Sequence, residues 1–374
     1  MINTPDWVKD AIFYQIFPDR FAKSNRQAKP SNLMEWDAEP TYHNFFGGDL
    51  FGIAERLDYL ADLGINAIYL NPIFASAANH RYHTNDYYQV DPLLGGNKAF
   101  RELLDGAHNR RIRVVLDGVF NHCGRGFHQF NSLMENHEQS PYTDWFHIHS
   151  YPIKAFIEEH QSPNYEAWWG LAALPKFNTD TEAVREFLLR VGEYWLEQGI
   201  DGWRLDVPNE IDDDAFWQAF RTRCRAINPD CYIVGEIWED ASRWLQGDQF
   251  DAVMNYLFAK PALGFFCGDN FNREEGDKMD YRHVKTMKAM QFGDELTHIF
   301  NGIYAKEIVD VQMNMLGSHD TPRLMTLASE DVESVANLFL CQLTVPGAPN
   351  IYYCLLYTSP SPRDLSTSRM PSSA

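Results

Sequence analysis

The chain has 374 residues, 45% hydrophobic and 22% charged, so it can bury a large core and its composition excludes a disordered protein. Lys and Arg number 32 against 52 Asp and Glu, a formal charge of -20 that repels phosphate polymers and disfavours a nucleic-acid or anionic-membrane partner while suiting a neutral one. No apolar run reaches about 18 residues, and residues 1–10 lack the basic and apolar regions of a secretion signal, so a cytoplasmic protein is expected.

From residue 10 onward, strand-like runs alternate with helical periodicity. Residues 11–17 read as a strand. Leu50, Ile53, Leu57, Leu60 and Leu63 recur at helical spacing and Gly64 stops them. Strand 66–71, a helix near 98–110 and the apolar strand 112–117 follow. The alternation pauses for about sixty residues, too long for an ordinary loop. It resumes where Thr179-x-x-Glu182 reads as a capping box ahead of the stripe Val184, Phe187, Leu188, Val191 and Trp195. Strand 201–206 comes next, then a helix from 212–214 with Phe216, Phe220 and Cys224 on one face. Strand 231–236, a short helix near 241–246 and strand 251–255 follow. Helical stretches near 283–305, strand 311–316, a helix near 331–343 and strand 350–353 complete the series.

Eight such βα units imply an α/β chain folded as a (β/α)8 TIM barrel, with a doubly wound open sheet as the competing architecture. Residues 1–120 and 181–354 form the expected barrel, and residues 121–180 form a small domain inserted after the third strand. Residues 355–374 hold six Ser, three Pro and two Thr and break the pattern, so they read as a disordered tail foreign to the rest. The six cysteines form no C-x-x-C pair and read as free thiols in a reducing compartment.

In a barrel the chemistry sits at the carboxyl ends of the strands. Here those ends carry Asp117 with Asn121 and His122, Arg204 with Asp206, Glu236, and His319 with Asp320. A lone strand-end Asp is more often a cap or turn residue, and a lone His an ordinary hydrogen-bonded one. The joint arrangement over four strands is what points to a site. Cleaving a glycosidic bond needs one ionised and one protonated carboxyl group. Arg204 and Asp206 are i and i+2 on a strand and share a face, so the guanidinium favours an Asp206 carboxylate suited to be the nucleophile. Glu236 has no basic neighbour in local sequence and is flanked by Ile237 and Trp238, an apolar wall that would keep it protonated as the acid. Asp320 is a third carboxylate for sugar hydroxyls, with His122 and His319 as donors.

The motifs at these positions resemble the α-amylase family of glycoside hydrolases. They are GINAIYLNPIF at 64–74, DGVFNH at 117–122, GWRLDV at 202–207, GEIW around Glu236, SHD at 318–320 and GAPNIYY at 347–353. The resemblance covers residues 7–353. It implies a retaining hydrolase in which Asp206 is the nucleophile, Glu236 the general acid/base and Asp320 the transition-state stabiliser. Arg204, His122 and His319 hold the sugar, Asp117 belongs to the binding set, and Tyr82 is the stacking tyrosine. Finer features resemble the neopullulanase, cyclomaltodextrinase and maltogenic amylase group. These are LPKFN at 174–178, Asn209-Glu210 after the nucleophile, and residues 234–256; Pro208 and Glu239 depart from that group.

The resemblance implies an α-glucan substrate (maltodextrin, cyclodextrin or pullulan) cut at α-1,4 and also α-1,6 bonds. The alternatives are a glucanotransferase or isomerase of the same clan, a non-catalytic barrel scaffold, or an inactive fragment. No cofactor is required for the chemistry. The group's calcium loop here reads 23–29 KSNRQAK, with two lysines where oxygen ligands would sit, which disfavours a structural calcium. Against the family's architecture, the sequence is expected to lack an N-terminal β-domain, the last barrel helix and a C-terminal β-sandwich. Dimerisation through the first is therefore not expected, and the oligomeric state stays open.

Overall fold

The structure is a computed structural model that describes residues 2–158, 161–277 and 281–354. The reading of a foreign, disordered tail at 355–374, with that of a missing last helix and C-terminal domain, lies outside the described residues.

Eight short strands close into a parallel barrel: β1 Phe13–Ile16, β2 Ala67–Leu70, β3 Arg113–Gly118, β4 Gly202–Leu205, β5 Tyr232–Gly235, β6 Ala252–Asn255, β7 Met313–Met315 and β8 Ala348–Tyr352. Each pairs with its neighbour in sequence, and β8 closes on β1 with Phe13 opposite Asn350. The open-sheet alternative is therefore excluded.

Strand side chains alternate between two faces. One set points into the barrel: Phe13, Ala67, Tyr69, Val115, Tyr232, Val234, Ala252, Met254, Met313, Met315 and Ala348 pack as one buried cluster. The other set packs outward under the helices, where Ile68, Leu70, Val114, Leu116, Trp203 and Ile233 meet Leu103, Leu188, Trp195 and Phe220. Continuing the inward set toward the carboxyl ends replaces apolar residues by Gln15, Asn71, Asp117, Arg204, Glu236 and Asn350, all buried. Period two thus carries the core directly into the polar cluster.

The helices mostly follow the sequence reading, with four differences. The stripe from Leu50 breaks into Leu50–Ala54 and Leu57–Asp62, and Gly64 ends the second at φ +86. The helix Glu182–Glu197 has Thr181 at its N-cap position, two residues beyond Thr179, so the Thr179 capping box does not form; the Thr181 hydroxyl donates to the Asp144 carbonyl. Residues 241–246 make turns, not a helix. Conversely, Tyr256–Phe266 is a helix that the sequence hides, because it is apolar except at the exposed Lys260 and contains Pro261.

A hairpin of Phe74–Ser76 with Thr84–Val90 follows β2 and carries Tyr82 in its turn. After β3 the chain makes its long excursion before returning as the Glu182–Glu197 helix. Its two feet pair: the Cys123 N–H donates to the Pro175 carbonyl, and the Phe177 N–H to that of Asn121. Among the described residues no helix is long and apolar enough to cross a membrane, and all six cysteines are free thiols.

Candidate active site

The strand ends bring Asp117, Arg204, Asp206 and Glu236 around one guanidinium. Arg204 is opposite Asp117 in the β3–β4 register. Its Nη1 donates to Asp117 Oδ1 at 2.9 Å and Oδ2 at 3.1 Å, and to Asp206 Oδ1 at 3.1 Å. Its Nη2 lies 2.8 Å from Glu236 Oε2 as an ion pair without hydrogen-bond alignment. The Arg204 side chain is fully buried. Its desolvation opposes the charged form, but Asp117 and Glu236 outweigh it and hold the guanidinium charge well above its ordinary range.

This geometry corrects one expectation. Glu236 is not enclosed by an apolar wall alone. The Trp238 indole does cover it, stacked on Tyr256 at 3.4 Å, but Nε1 donates to Glu236 Oε1 at 3.2 Å. The Val207 N–H donates to Oε2 at 3.2 Å. The basic neighbour that local sequence lacked arrives from the adjacent strand as Arg204. Val207 makes its contact from a left-handed backbone, φ 37 and ψ 52, which is strained for a β-branched residue.

Asp117 is fully engaged. Besides Arg204 it accepts from Tyr69 Oη at 2.6 Å and Tyr82 Oη at 2.9 Å. Burial pushes its carboxyl up, against the pull of the Arg204 charge. Burial also pushes both phenols well above their usual range, so each remains an O–H donor.

Tyr82 is 2% exposed. Its ring lies parallel to His319, with centroids 5.4 Å apart and planes 7° from parallel. Asn71 Nδ2 donates to Tyr82 Oη at 3.1 Å, and His319 Nε2 is 2.6 Å from the same oxygen. His319 Nε2 also lies 3.2 Å from Asp320 Oδ2. On the opposite side His122 Nε2 is 3.9 Å from Asp206 Oδ2, and its ring stacks on Trp168 at 5.4 Å. All eight residues singled out from sequence therefore fall in one cluster: Tyr82, Asp117, His122, Arg204, Asp206, Glu236, His319 and Asp320.

The sequence reading passed over Gln15, Tyr69, Asn71 and Trp168. The first three sit on the inward face of their strands, so the period that located Asp117 would have found them. Trp168 has no such signal.

Ser24 and Lys29 of the loop 23–29 both contact Asp49. This buried carboxylate accepts from Ser24 Oγ at 2.9 Å and the Gly52 N–H at 2.7 Å, and pairs with the Lys29 ammonium. A cation already occupies that carboxylate. Among the described residues no group of three or more His, Cys, Asp or Glu is arranged to hold a metal.

The family described as alpha amylase, catalytic domain, matches residues 15–354. The chain belongs to that family. It is 47% identical over 355 residues to a cyclomaltodextrinase of Geobacillus thermopakistaniensis, covering 94% of this chain and 57% of the relative. It is 42% identical to neopullulanase 2 of Thermoactinomyces vulgaris over 94% of this chain and 57% of that one. The crystal structure of Ttha1563 from Thermus thermophilus superposes with a TM-score of 0.91 at 53% identity, over 93% of this chain and 73% of that chain. The chain thus spans a little over half the length of the curated relatives it matches.

Proposed function

We propose that this family member is a retaining α-glucan hydrolase acting on maltodextrins, cyclodextrins or pullulan, with α-1,4 bonds preferred and α-1,6 bonds also cut. The observation that carries the reading is the single buried guanidinium of Arg204, which touches Asp206 and Glu236 from adjacent strands. A nucleophile and an acid must flank one bond, and a shared cation fixes two carboxyl groups within reach of the same atoms. The names of the two relatives favour cyclic maltodextrins and pullulan as the first substrates to try.

In this mechanism Asp206 attacks the anomeric carbon while Glu236 protonates the departing glycosidic oxygen. A β-glucosyl ester on Asp206 results. Glu236, now ionised, takes a proton from water, which attacks the same carbon and releases Asp206 with retained configuration. His122 and His319 donate to sugar hydroxyls beside Asp206 and Asp320, and Tyr82 supplies a ring for the sugar at the cleaved bond. Asp117 acts as a positioning residue that orients Arg204 and the Tyr82 hydroxyl. No metal or organic cofactor enters these steps. The free thiols favour a cytoplasmic location.

The test is hydrolysis of β-cyclodextrin and pullulan by the 374-residue chain, with the product anomer read by NMR. Asp206→Asn and Glu236→Gln should each remove at least about a thousandfold of kcat. The α-anomer should form first. Hydrolysis retained by either variant, or release of the β-anomer, would refute the assignment.

A further inference from the structure

The excursion after β3 exposes one indole beside the site. Trp169 is 56% exposed, whereas Trp168 is 7% exposed. Their rings stack with centroids 4.3 Å apart and planes 12° from parallel. Trp168 in turn stacks on His122, the histidine that faces Asp206. A continuous column of three rings therefore runs from the nucleophile's neighbour out to solvent.

The backbone holds this column in place. Trp169 has φ 51 and ψ 26, a left-handed conformation that side chains other than glycine rarely adopt. Gly170 follows at φ +69 with nothing near its absent side chain. The turn is tied by the Trp168 N–H to the Leu174 carbonyl and by the Gly170 N–H to that of Ala167. Strain of this kind persists only where surrounding structure enforces it, and here it serves no core packing. It turns a large flat ring outward and backs it with a second, buried ring.

We propose that the outer face of Trp169 is a stacking platform for one glucosyl ring of the bound oligosaccharide, beyond the sugars that flank the cleaved bond. The inference rests on the α-glucan reading above. A pyranose offers a flat face of C–H groups edged with hydroxyls. An indole offers a matching apolar plane and one N–H, and it loses little freedom when already stacked. Because the column starts at His122, a chain threaded past Asp206 has a route along it. Only oligosaccharides long enough to leave the cleavage position would reach Trp169.

The test measures calorimetric affinity for maltotriose and maltoheptaose in the Asp206→Asn protein, alone and with Trp169→Gly or Trp169→Phe added. Glycine accepts the left-handed backbone, so Trp169→Gly should melt no lower than its parent. It should bind maltoheptaose about tenfold more weakly and maltotriose within about twofold, and Trp169→Phe should recover most of the loss. Unchanged maltoheptaose affinity, equal loss for both sugars, or an altered oligomeric state with affinity intact would overturn the platform while leaving the α-glucan reading standing. A parent that binds neither sugar would instead sink the α-glucan reading and the platform with it.

Discussion

Gln15 and His319 are 304 positions apart in the chain, yet Gln15 Nε2 lies 3.0 Å from His319 Nδ1. An amide nitrogen only donates, so Nδ1 accepts and the ring proton belongs on Nε2. The network agrees with this orientation. Gln15 Nε2 also donates to Asn71 Oδ1 at 3.1 Å, while Gln15 Oε1 accepts from Asn350 Nδ2 at 3.2 Å. The Nε2 proton then points among Tyr82 Oη and Asp320 Oδ2, where a sugar hydroxyl would compete for it.

Replacing Gln15 should therefore act through His319. Gln15→Glu places an acceptor at Nδ1 and moves the proton to that side. We expect kcat/KM on β-cyclodextrin to fall about tenfold or more, with a cost of about 1–3 kcal/mol in urea unfolding from the disrupted buried network. Wild-type kinetics in that variant would show the tautomer to be irrelevant.

Arg204 should tolerate no substitute. Arg204→Met leaves Asp117, Asp206 and Glu236 buried without their common cation, and breaking buried pairs in this way costs about 3–5 kcal/mol. Arg204→Lys restores the charge, but one ammonium cannot reach Asp206 and Glu236 through separate nitrogens. The lysine variant should regain part of the melting temperature and little activity. Full activity in it would mean that charge alone suffices.

Asp213 predicts a pH dependence of stability. It caps Asp214–Ile227 through the Phe216 N–H at 3.0 Å and pairs with Arg185. Burial opposes its charge, but the Arg185 hydrogen bond and the capping N–H outweigh that and lower the carboxyl below its ordinary range. A lowered native pKa gives stability that is present above the unfolded value, about 3.9, and is lost as pH falls through the native one. Asp213→Ala should cost about 1 kcal/mol at pH 7 and progressively less below pH 4. A cost independent of pH, from urea titrations across that window, would contradict this.

The loop 23–29 should be indifferent to calcium. Chelation, or added millimolar calcium, should leave the melting temperature unchanged. Lys29→Met should lower it, because the Asp49 carboxylate would lose its buried cation. A rise in melting temperature when calcium is restored to chelated wild-type protein would place an ion that the loop chemistry argues against.

The sequence made the barrel legible because several strands are followed or preceded by a helix of clear period, as at Val184, Leu188, Val191 and Trp195. The carboxylates were legible because they stand at strand ends in known motifs. What escaped was set by long-range packing. Arg204 reaches Glu236 across a strand, a contact no local window contains. Gln15 meets His319 only once β1 and β8 close the barrel. The Tyr256–Phe266 helix was invisible because apolar residues fill nearly all of its positions, Lys260 excepted, and so erase the amphipathic stripe on which such a reading depends. The Thr179 box failed because the helix starts later than expected, with Thr181 at the N-cap and Thr179 two residues ahead of it.

The excursion after β3 leaves and rejoins the barrel at two points that lie side by side, where His122 and Lys176 form an isolated antiparallel bridge. Whatever is rebuilt between those two feet reshapes one wall of the cleft while the doorway stays shut behind it. Arg204 and its carboxylates are anchored on β3, β4 and β5 and would not feel the alteration. Evolution, or a designer, can thus exchange the wall like a cartridge and ask the same chemistry to accept a different guest.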